Sequence, residues 1–295
     1  MKFTDLATNT VYFSEFFTLR FPEVYQPSKT NLEANGIKVK LIKGNQNIWC
    51  RDYMPVQVGE RFVRFGYKGY GVGYEAYPWL IVPGKCFEPF QPLEVCSVIL
   101  DGGGIVRNEK YAVITEIVFE QNPKLHKAQV VSRLEKALEV EVVIVPVEPG
   151  DTLGHTDGIC KFVDDHSILV NDYSSVFKMH QQYRDYQEKL YRVLSSKFEV
   201  VPMPYAYELC PDLDDEAFYK EYPFADDNNP GFGYYINFLL TKTCILAPVF
   251  GIDKDRDAIK RLKKCYPDHS VVAIDCGRLS MEGGLSNCTT WNIIE

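Results

Sequence analysis

A short hairpin pattern recurs along the sequence, and it constrains the fold more than any other feature. Each occurrence has an apolar or alternating strand, a polar turn and a second strand, as β-hairpins do. Four segments show it: MPVQVGERFVRF (54–65), GGIVRNEKYAVI (103–114), GICKFVDDHSILV (158–170) and INFLLTKTCILAPV (236–249). The segment MEGGLSNCTTWNI (281–293) is predicted to be a fifth element, with Cys288 inside its strand.

A polar residue lies just before each hairpin or at its start. Taken as Asp52, Asp101, Asp157, Asn237 and Cys288, these positions are separated by 49, 56, 80 and 51 residues. Propeller-type repeats are roughly 40–50 residues long. The spacing therefore predicts repeated units arranged around a common axis.

Helices are predicted between the hairpins. Apolar residues recur with the period of an amphipathic helix in AQVVSRLEKALEV, QQYRDYQEKLYRVL and DRDAIKRLKKCYP. Strand-like runs at 140–147 and 269–275 follow the first and the third of these segments. Each unit is therefore mixed α/β, and we expect residues 1–295 to form a single domain.

Such a repeat would bring distant polar side chains together. If each unit directs its first strand toward the axis, the residues before those strands meet there, namely Asp52, Asp101, His155, Asp157 and Cys288. Asp is also a common turn residue, so any one of these acids could serve a turn alone. The whole set is much less readily explained in that way.

Composition argues against several classes of protein. The net charge is −8 and no block of Lys and Arg is present, which predicts that the chain does not bind nucleic acid. No apolar run approaches the ~20 residues of a membrane span, and the N-terminus lacks the apolar run of a secretory signal. The nine cysteines are scattered without a CxxC pair, which favours free thiols over disulfides or a structural zinc site. We expect a cytoplasmic protein that does not bind membranes.

Two aromatic-rich segments show no clear strand or helix pattern. Residues 202–235 also carry proline and acidic residues, which predicts a lid or specificity loop, although a solvated insertion fits equally well. The segment GYKGYGVGYEAYPW (66–79) could stack on the alkyl chain of a ligand or form only a flexible loop.

A thiol, an imidazole and several carboxylates in one place indicate a particular chemistry. A Cys–His pair is the usual basis of thiol nucleophilic catalysis. Three carboxylates beside it would destabilise the oxyanion of a carbonyl substrate and raise the pKa of the thiol. A planar guanidinium instead pairs with carboxylates along two edges, and its charge favours the thiolate. The histidine could protonate departing ammonia and then deprotonate the attacking water.

Five motifs resemble a known family when they are read in order. They are WCRDYMP (49–55), LDGGGIV (100–106), GHTDGICKFV (154–163), YYINFLL (234–240) and EGGLSNCTTW (282–291). Together they look like the agmatine deiminase and bacterial-type peptidylarginine deiminase family, within the guanidino-group-modifying enzymes. The resemblance implies a five-unit α/β propeller, the pentein fold. It implies a hydrolase of linear amidines that needs no metal or organic cofactor.

The resemblance also implies a role for each motif residue. Cys288 would be the nucleophile and His155 the general acid and base, while Asp52 and Asp157 would hold the guanidinium. Asp101 stands where agmatine deiminases usually have Glu, and it would orient the histidine or touch the substrate. Trp49 would line the pocket, although a core tryptophan before a strand is nearly as good an explanation.

The last motif departs from the family pattern and leaves the substrate open. Agmatine deiminases usually read G-G-G-x-I-H-C-I-T-Q-Q, whereas this chain has Asn287 before the cysteine. Agmatine, free arginine and peptidyl arginine all fit, and the acidic stretch 212–227 favours the terminal amine of agmatine. The expected product is then N-carbamoylputrescine, an intermediate of putrescine biosynthesis.

Other functions remain open on the same residues. A thiol hydrolase or transferase acting on an amide, and a non-catalytic protein that binds guanidines or polyamines, are the alternatives. A zinc site from His155, Asp157 and Cys288 is a lesser one, since a His-x-Asp pair lacks a further histidine. The expected partner is a small cationic guanidino compound, and a homo-oligomer is compatible with the sequence.

Overall fold

A computed structural model of the chain describes residues 4–67, 82–176, 181–210 and 230–295. Its strands are β1 (Thr10–Ser14), β2 (Lys38–Ile42), β3 (Val56–Val58), β4 (Arg61–Gly66), β5 (Leu93–Ile99), β6 (Val106–Arg107), β7 (Tyr111–Thr115), β8 (Glu141–Val145), β9 (Cys160–Phe162), β10 (Ser167–Asn171), β11 (Glu199–Met203), β12 (Leu239–Leu240), β13 (Cys244–Val249), β14 (Ser270–Asp275) and β15 (Thr290–Ile293). Its helices are α1 (Glu15–Arg20), α2 (Pro22–Ala34), α3 (Cys50–Tyr53), α4 (Ile117–Gln121), α5 (Lys127–Leu138), α6 (Gln181–Ser195), α7 (Lys254–Cys265) and α8 (Gly277–Ser280).

The strands form five separate three-stranded sheets of one design. Their orders are β3-β4-β5, β6-β7-β8, β9-β10-β11, β12-β13-β14 and β15-β1-β2. In every sheet the first two strands run antiparallel, as a hairpin in four of the five sheets, and the third runs parallel to the middle one. The predicted α/β propeller of five units, the pentein fold, is confirmed.

Strands from the two ends of the chain complete the fifth sheet. β15 pairs antiparallel with β1, with Thr10 opposite Ile293. β1 then pairs parallel with β2, which follows α1 and α2. The repeat pattern in the sequence did not assign β1 and β2 to a unit.

The predicted helices are confirmed and serve as crossovers. A parallel strand pair needs a crossover connection, which is usually a helix. α5, α6 and α7 each connect a middle strand to the third strand of the same sheet. In α5 the buried residues Val130, Leu134 and Leu138 recur at intervals of four, so that a single face of the helix packs on the core.

Burial falls from the first strand of a unit to the third. In the fourth unit both residues of β12 are buried, whereas β14 buries only one of its six residues. The same contrast separates β9 from β11 in the third unit. The first strands therefore lie at the centre, and the loops that precede them meet there.

Cys288 does not lie in a strand, so that detail of the prediction was wrong. β15 begins at Thr290, and Cys288 occupies a turn just before it. The hydroxyls of Thr289 and Thr290 donate to the carbonyls of Leu285 and Ser286, four residues back. These bonds hold the segment in a helical turn and delay the strand.

The described residues contain no helix that is long and apolar enough to cross a bilayer. Most of the segment 66–79, and residues 211–229 of the predicted loop 202–235, lie outside the described residues.

Candidate active site

The polar residues that precede the first strands converge at the centre of the molecule. Cys288, His155 and Asp157 line one pocket, together with Asn237. The space inside it, together with its open mouth, is about 520 Å³. Asp52 and Asp101 reach the same place through their contacts with His155.

His155 lies between two carboxylates. Its Nε2 is 3.2 Å from Oδ2 of Asp101, and its Nδ1 is 3.6 Å from Oδ1 of Asp52. Burial by itself lowers the pKa of His155, but the charges of Asp52, Asp101 and Asp157 outweigh it and raise that pKa to about 10. The imidazole is therefore protonated at neutral pH and can act first as an acid.

The glycines at 102–104 allow this arrangement. They form a tight turn after Asp101, and the backbone N–H of Gly103 donates to Oδ1 of Asp52 at 3.1 Å. A Cβ on Gly103 would lie 2.6 Å from that oxygen and 2.8 Å from Nδ1 of His155. Only glycine lets the backbone approach both groups so closely.

The surroundings of Asp52 also change the pKa of its carboxyl group. Burial raises its pKa to about 7, with further contributions from the charges of Asp101 and Asp157, while His155 and the Gly103 N–H act in the opposite direction. Asp52 therefore exchanges its proton near neutral pH.

Cys288 is held as a neutral thiol in this pocket. Its Sγ lies 3.3 Å from Oδ1 of Asn237 and 3.8 Å from Oδ2 of Asp157. Burial raises the pKa of this thiol well above its ordinary value, and the charges of Asp157 and Asp52 raise it further. A cation placed beside the sulfur would reverse that effect.

Asn237 belongs to the site, although it was not among the predicted site residues. Its Oδ1 accepts from the backbone N–H and the thiol of Cys288, and its Nδ2 donates to the backbone carbonyl of Asp157. The signal that marks it is its place at the start of the fourth hairpin.

Trp49 lies behind the pocket wall. The ring is buried in the apolar cluster that also contains Cys288, and it is not among the described residues that line the pocket. It packs directly against Gly284, which does line the pocket, and a Cβ on Gly284 would collide with the ring. Direct contact of Trp49 with a substrate stays a prediction, as do the other roles implied by the resemblance.

Another wall of the pocket holds a buried carboxyl that the sequence did not reveal. Glu148 is 3% exposed and accepts hydrogen bonds from Tyr173 at 2.7 Å, Tyr234 at 2.9 Å and Tyr205 at 3.2 Å. Burial raises its pKa to about 8, against the effect of these tyrosine donors. Nothing in the local sequence distinguishes Glu148 from a surface glutamate, because its partners are 25, 57 and 86 residues away.

The charged groups in this pocket are almost all acidic. Of the described lining residues, Glu148, Asp151 and Asp157 are acids, His155 is the single basic group, and no Lys or Arg is present. Among the described residues, no group of three or more His, Cys, Asp or Glu side chains is arranged to hold a metal ion. The pocket is suited to an organic cation.

Comparison with known proteins agrees with this geometry. A family model for the Porphyromonas-type peptidyl-arginine deiminases matches residues 15–293. The agmatine deiminase of Medicago truncatula is 32% identical over 214 residues, which cover 66% of this chain and 56% of that protein. The chain thus spans little more than half the length of that relative. The agmatine deiminase of Pseudomonas putida is 28% identical over an alignment that covers 90% of this chain and 79% of the other.

Solved structures share the architecture. The agmatine deiminase of Enterococcus faecalis superposes with a TM-score of 0.71 at 19% identity, covering 97% of this chain and 93% of that one. This likeness shows a common fold. Because the family model extends over nearly all of the sequence, the chain belongs to the Porphyromonas-type peptidyl-arginine deiminase family.

Proposed function

We propose that the chain hydrolyses the guanidinium group of agmatine to N-carbamoylputrescine and ammonia. The observation that carries this proposal is the acidic pocket, in which a buried thiol and a protonated imidazole lie beside carboxylates. The described lining residues include no lysine or arginine. The curated relatives named above are agmatine deiminases, which supports the same conclusion.

The first half of the reaction uses His155 as an acid. When the guanidinium enters, its positive charge lowers the pKa of the Cys288 thiol, whose proton goes to solvent. The thiolate attacks the central guanidinium carbon. His155 gives its proton to the departing nitrogen, the carbon–nitrogen bond breaks, and ammonia leaves a positively charged thiouronium on sulfur.

The second half uses His155 as a base. The neutral imidazole takes a proton from water, and the hydroxide attacks the thiouronium carbon. The carbon–sulfur bond breaks, the thiolate leaves and the hydroxyl proton goes to solvent, which gives the ureido product; the thiolate and the ammonia take up protons from solvent. Over both halves a guanidinium and a water become a ureido group and an ammonium ion, with no oxidant or reductant.

The charges on the pocket wall favour agmatine over free arginine. Agmatine carries an ammonium group at the end opposite its guanidinium, and Glu148 and Asp151 are acids on the wall of the same pocket. Arginine would bring a carboxylate toward these acids, where no lysine or arginine among the described lining residues could pair with it and any ionised acid would repel it.

The test is a colorimetric ureido assay on agmatine, butylguanidine, arginine and an arginyl peptide. We expect agmatine to react with the highest kcat/KM, butylguanidine to react less well because it lacks the amine, and arginine to react poorly. Cys288→Ala should lose turnover and keep calorimetric binding of agmatine. A higher kcat/KM for arginine would overturn the choice of substrate. Binding of agmatine without turnover of any guanidine by the unmodified chain would indicate a binding protein.

The cysteines support a reducing location for this reaction. All nine are free thiols, and five of them besides Cys288 are more than nine-tenths buried: Cys50, Cys86, Cys160, Cys244 and Cys276. Free thiols persist where the compartment is reducing. We therefore place the enzyme in the cytoplasm as part of this proposal.

A further inference from the structure

The residue before the nucleophile is clamped between two cations and a carboxylate. Asn287 is 3% exposed. Its Oδ1 accepts from Nζ of Lys161 at 2.8 Å and from the guanidinium of Arg51 at 3.2 Å. Its Nδ2 donates to Oδ2 of Asp157 at 2.7 Å. These contacts span both polar atoms of the amide.

The two cations fix the orientation of the amide. Lysine and arginine side chains are hydrogen-bond donors only, so the atom that faces them must be the carbonyl oxygen. The amide nitrogen therefore faces Asp157, and the assignment of the two atoms is not arbitrary. Cations that polarise an amide carbonyl also strengthen the hydrogen bond that its N–H donates.

The oxygen of Asp157 that receives this bond is also the one nearest the nucleophile. Oδ2 of Asp157 lies 3.8 Å from Sγ of Cys288. Since Asn287 occupies Oδ2, the carboxylate cannot rotate freely, and its second oxygen is left for another partner. Asp157 is 2% exposed, so a misplaced orientation would not be corrected by water.

Lys161 is held apart from Asp157 by this amide. The lysine is 3% exposed, and burial lowers its pKa. Its ion-pair partner is Asp5, at 3.9 Å, and its Nζ lies 5.3 Å from the centre of the Phe238 ring. If it reached Asp157 directly, two buried opposite charges would pair strongly and neutralise the carboxylate.

We propose that Asn287 is a positioning residue, a neutral spacer that orients Asp157 toward the substrate and keeps Lys161 and Arg51 from pairing with it. This inference rests on the proposed function, because it assigns Asp157 the task of holding a cationic guanidinium. It explains why an asparagine can stand before the cysteine. A neutral imidazole also has one acceptor and one donor on opposite edges, so a histidine there could make the same two contacts.

The experiment compares three substitutions of Asn287 in the full chain. Asn287→Leu removes both contacts at similar size, Asn287→Asp removes the donor to Asp157, and Asn287→His preserves one donor and one acceptor. We expect KM for agmatine to rise roughly 10- to 100-fold in the Leu and Asp variants, which is the range for a lost hydrogen bond to a charged group. The His variant should stay within about fivefold of the unmodified enzyme.

A second pair of variants separates positioning from folding. Lys161→Met should raise KM and move the acid limb of the kcat/KM profile to higher pH, because a cation that favours the ionised pocket carboxylates is lost. Lys197→Met is the matched control, since Lys197 is at the surface and pairs there with Glu141 at 2.6 Å. It should change neither KM nor the profile. Melting temperatures of all variants report any general loss of stability.

The outcomes distinguish this inference from the proposed function. If Asn287→Leu and Lys161→Met keep the KM and the pH profile of the unmodified enzyme, or change only the melting temperature, Asn287 is structural and the inference is wrong. If the unmodified chain turns over no guanidine, the proposed function fails. The inference is then tested by calorimetric binding of agmatine to Cys288→Ala with and without Asn287→Leu, where equal affinities overturn it.

Discussion

At the scale of single residues, the site is defined by which side chains carry a proton. His155 is held protonated between Asp52 and Asp101, while the Cys288 thiol is kept neutral by burial and by nearby carboxylates. An ion pair of thiolate and imidazolium is therefore not the resting state. In the proposed mechanism, the substrate cation would provide the charge that activates the sulfur.

The pH dependence follows from Asp52. Its pKa is raised to about 7, so its ionised, cation-binding form accumulates only as the pH rises through that value. We expect kcat/KM for agmatine to fall as the pH drops below about 7. Steady-state kinetics between pH 5 and pH 9 measure this profile. An acid limb near the ordinary pKa of an aspartate would contradict it.

Residue types and spacing predicted part of this site, and the reason for the rest is physical. Asp52, Asp101, His155, Asp157 and Cys288 carried a signal because each precedes a strand of a repeated unit. Glu148 carried none, since its environment comes from tyrosines on distant segments. Asn287 was noticed as a departure from the family motif. Its contacts could not be predicted, because the cations that donate to it, Arg51 and Lys161, are 236 and 126 residues away.

At the scale of elements, the turns before the first strands carry the site, and Gly102–Gly104 forms one of them. Its middle residue, Gly103, lies so close to Asp52 and His155 that there is no room for a Cβ between them. Gly103 is therefore required by the positions of Asp52 and His155 and not by the turn alone.

Gly103→Ala tests that requirement. The added methyl group must displace either Asp52 or His155, so we expect kcat/KM to fall by about 100-fold or more, as misplacement of catalytic groups commonly does. Gly84→Ala is the matched control, because a Cβ there meets nothing within 4 Å. Circular dichroism should show both variants folded. Full activity of Gly103→Ala would mean that the turn adjusts without moving either side chain.

The sequence predicted some helices and strands better than others. The crossover helices were predictable from periodicity because one buried face repeats along α5, α6 and α7. The strand containing Cys288 was not, because Thr289 and Thr290 look like strand residues while their hydroxyls close a helical turn. Hydrogen bonds from these side chains to the backbone determine where the strand begins, and they cannot be predicted from the hydrophobic pattern.

At the scale of the whole molecule, several acidic groups lie at one pocket, and they are partly protonated when no cation is bound. Asp52 and Glu148 have pKa values raised to about 7 and about 8, and Cys288 is a thiol. A dication favours the ionised form of each.

Binding of agmatine should therefore release protons to the buffer. The observed calorimetric enthalpy should change with the ionisation enthalpy of the buffer at pH 7, and the affinity should increase from pH 6 to pH 8. Cys288→Ser is the variant to use, since it should bind without turnover. Replacing Glu148 by Gln should reduce the number of protons released. An enthalpy that is the same in all buffers would contradict this prediction.

Because β15 and β1 lie in the same sheet, the first and last strands of the chain belong to one unit of the ring. The backbone N–H of Glu295 donates to the side chain of Asn9, and Asn9 donates to the carbonyl of Ile293, so these two ends of the described chain lie side by side. A short linker could join them, and a new opening could be made at the exposed hairpin turn beside Glu109. Such a circular permutant would keep every sheet and move the nucleophile to the middle of the gene. We expect such a permutant to keep its activity, because the order of the five units around the axis is unchanged.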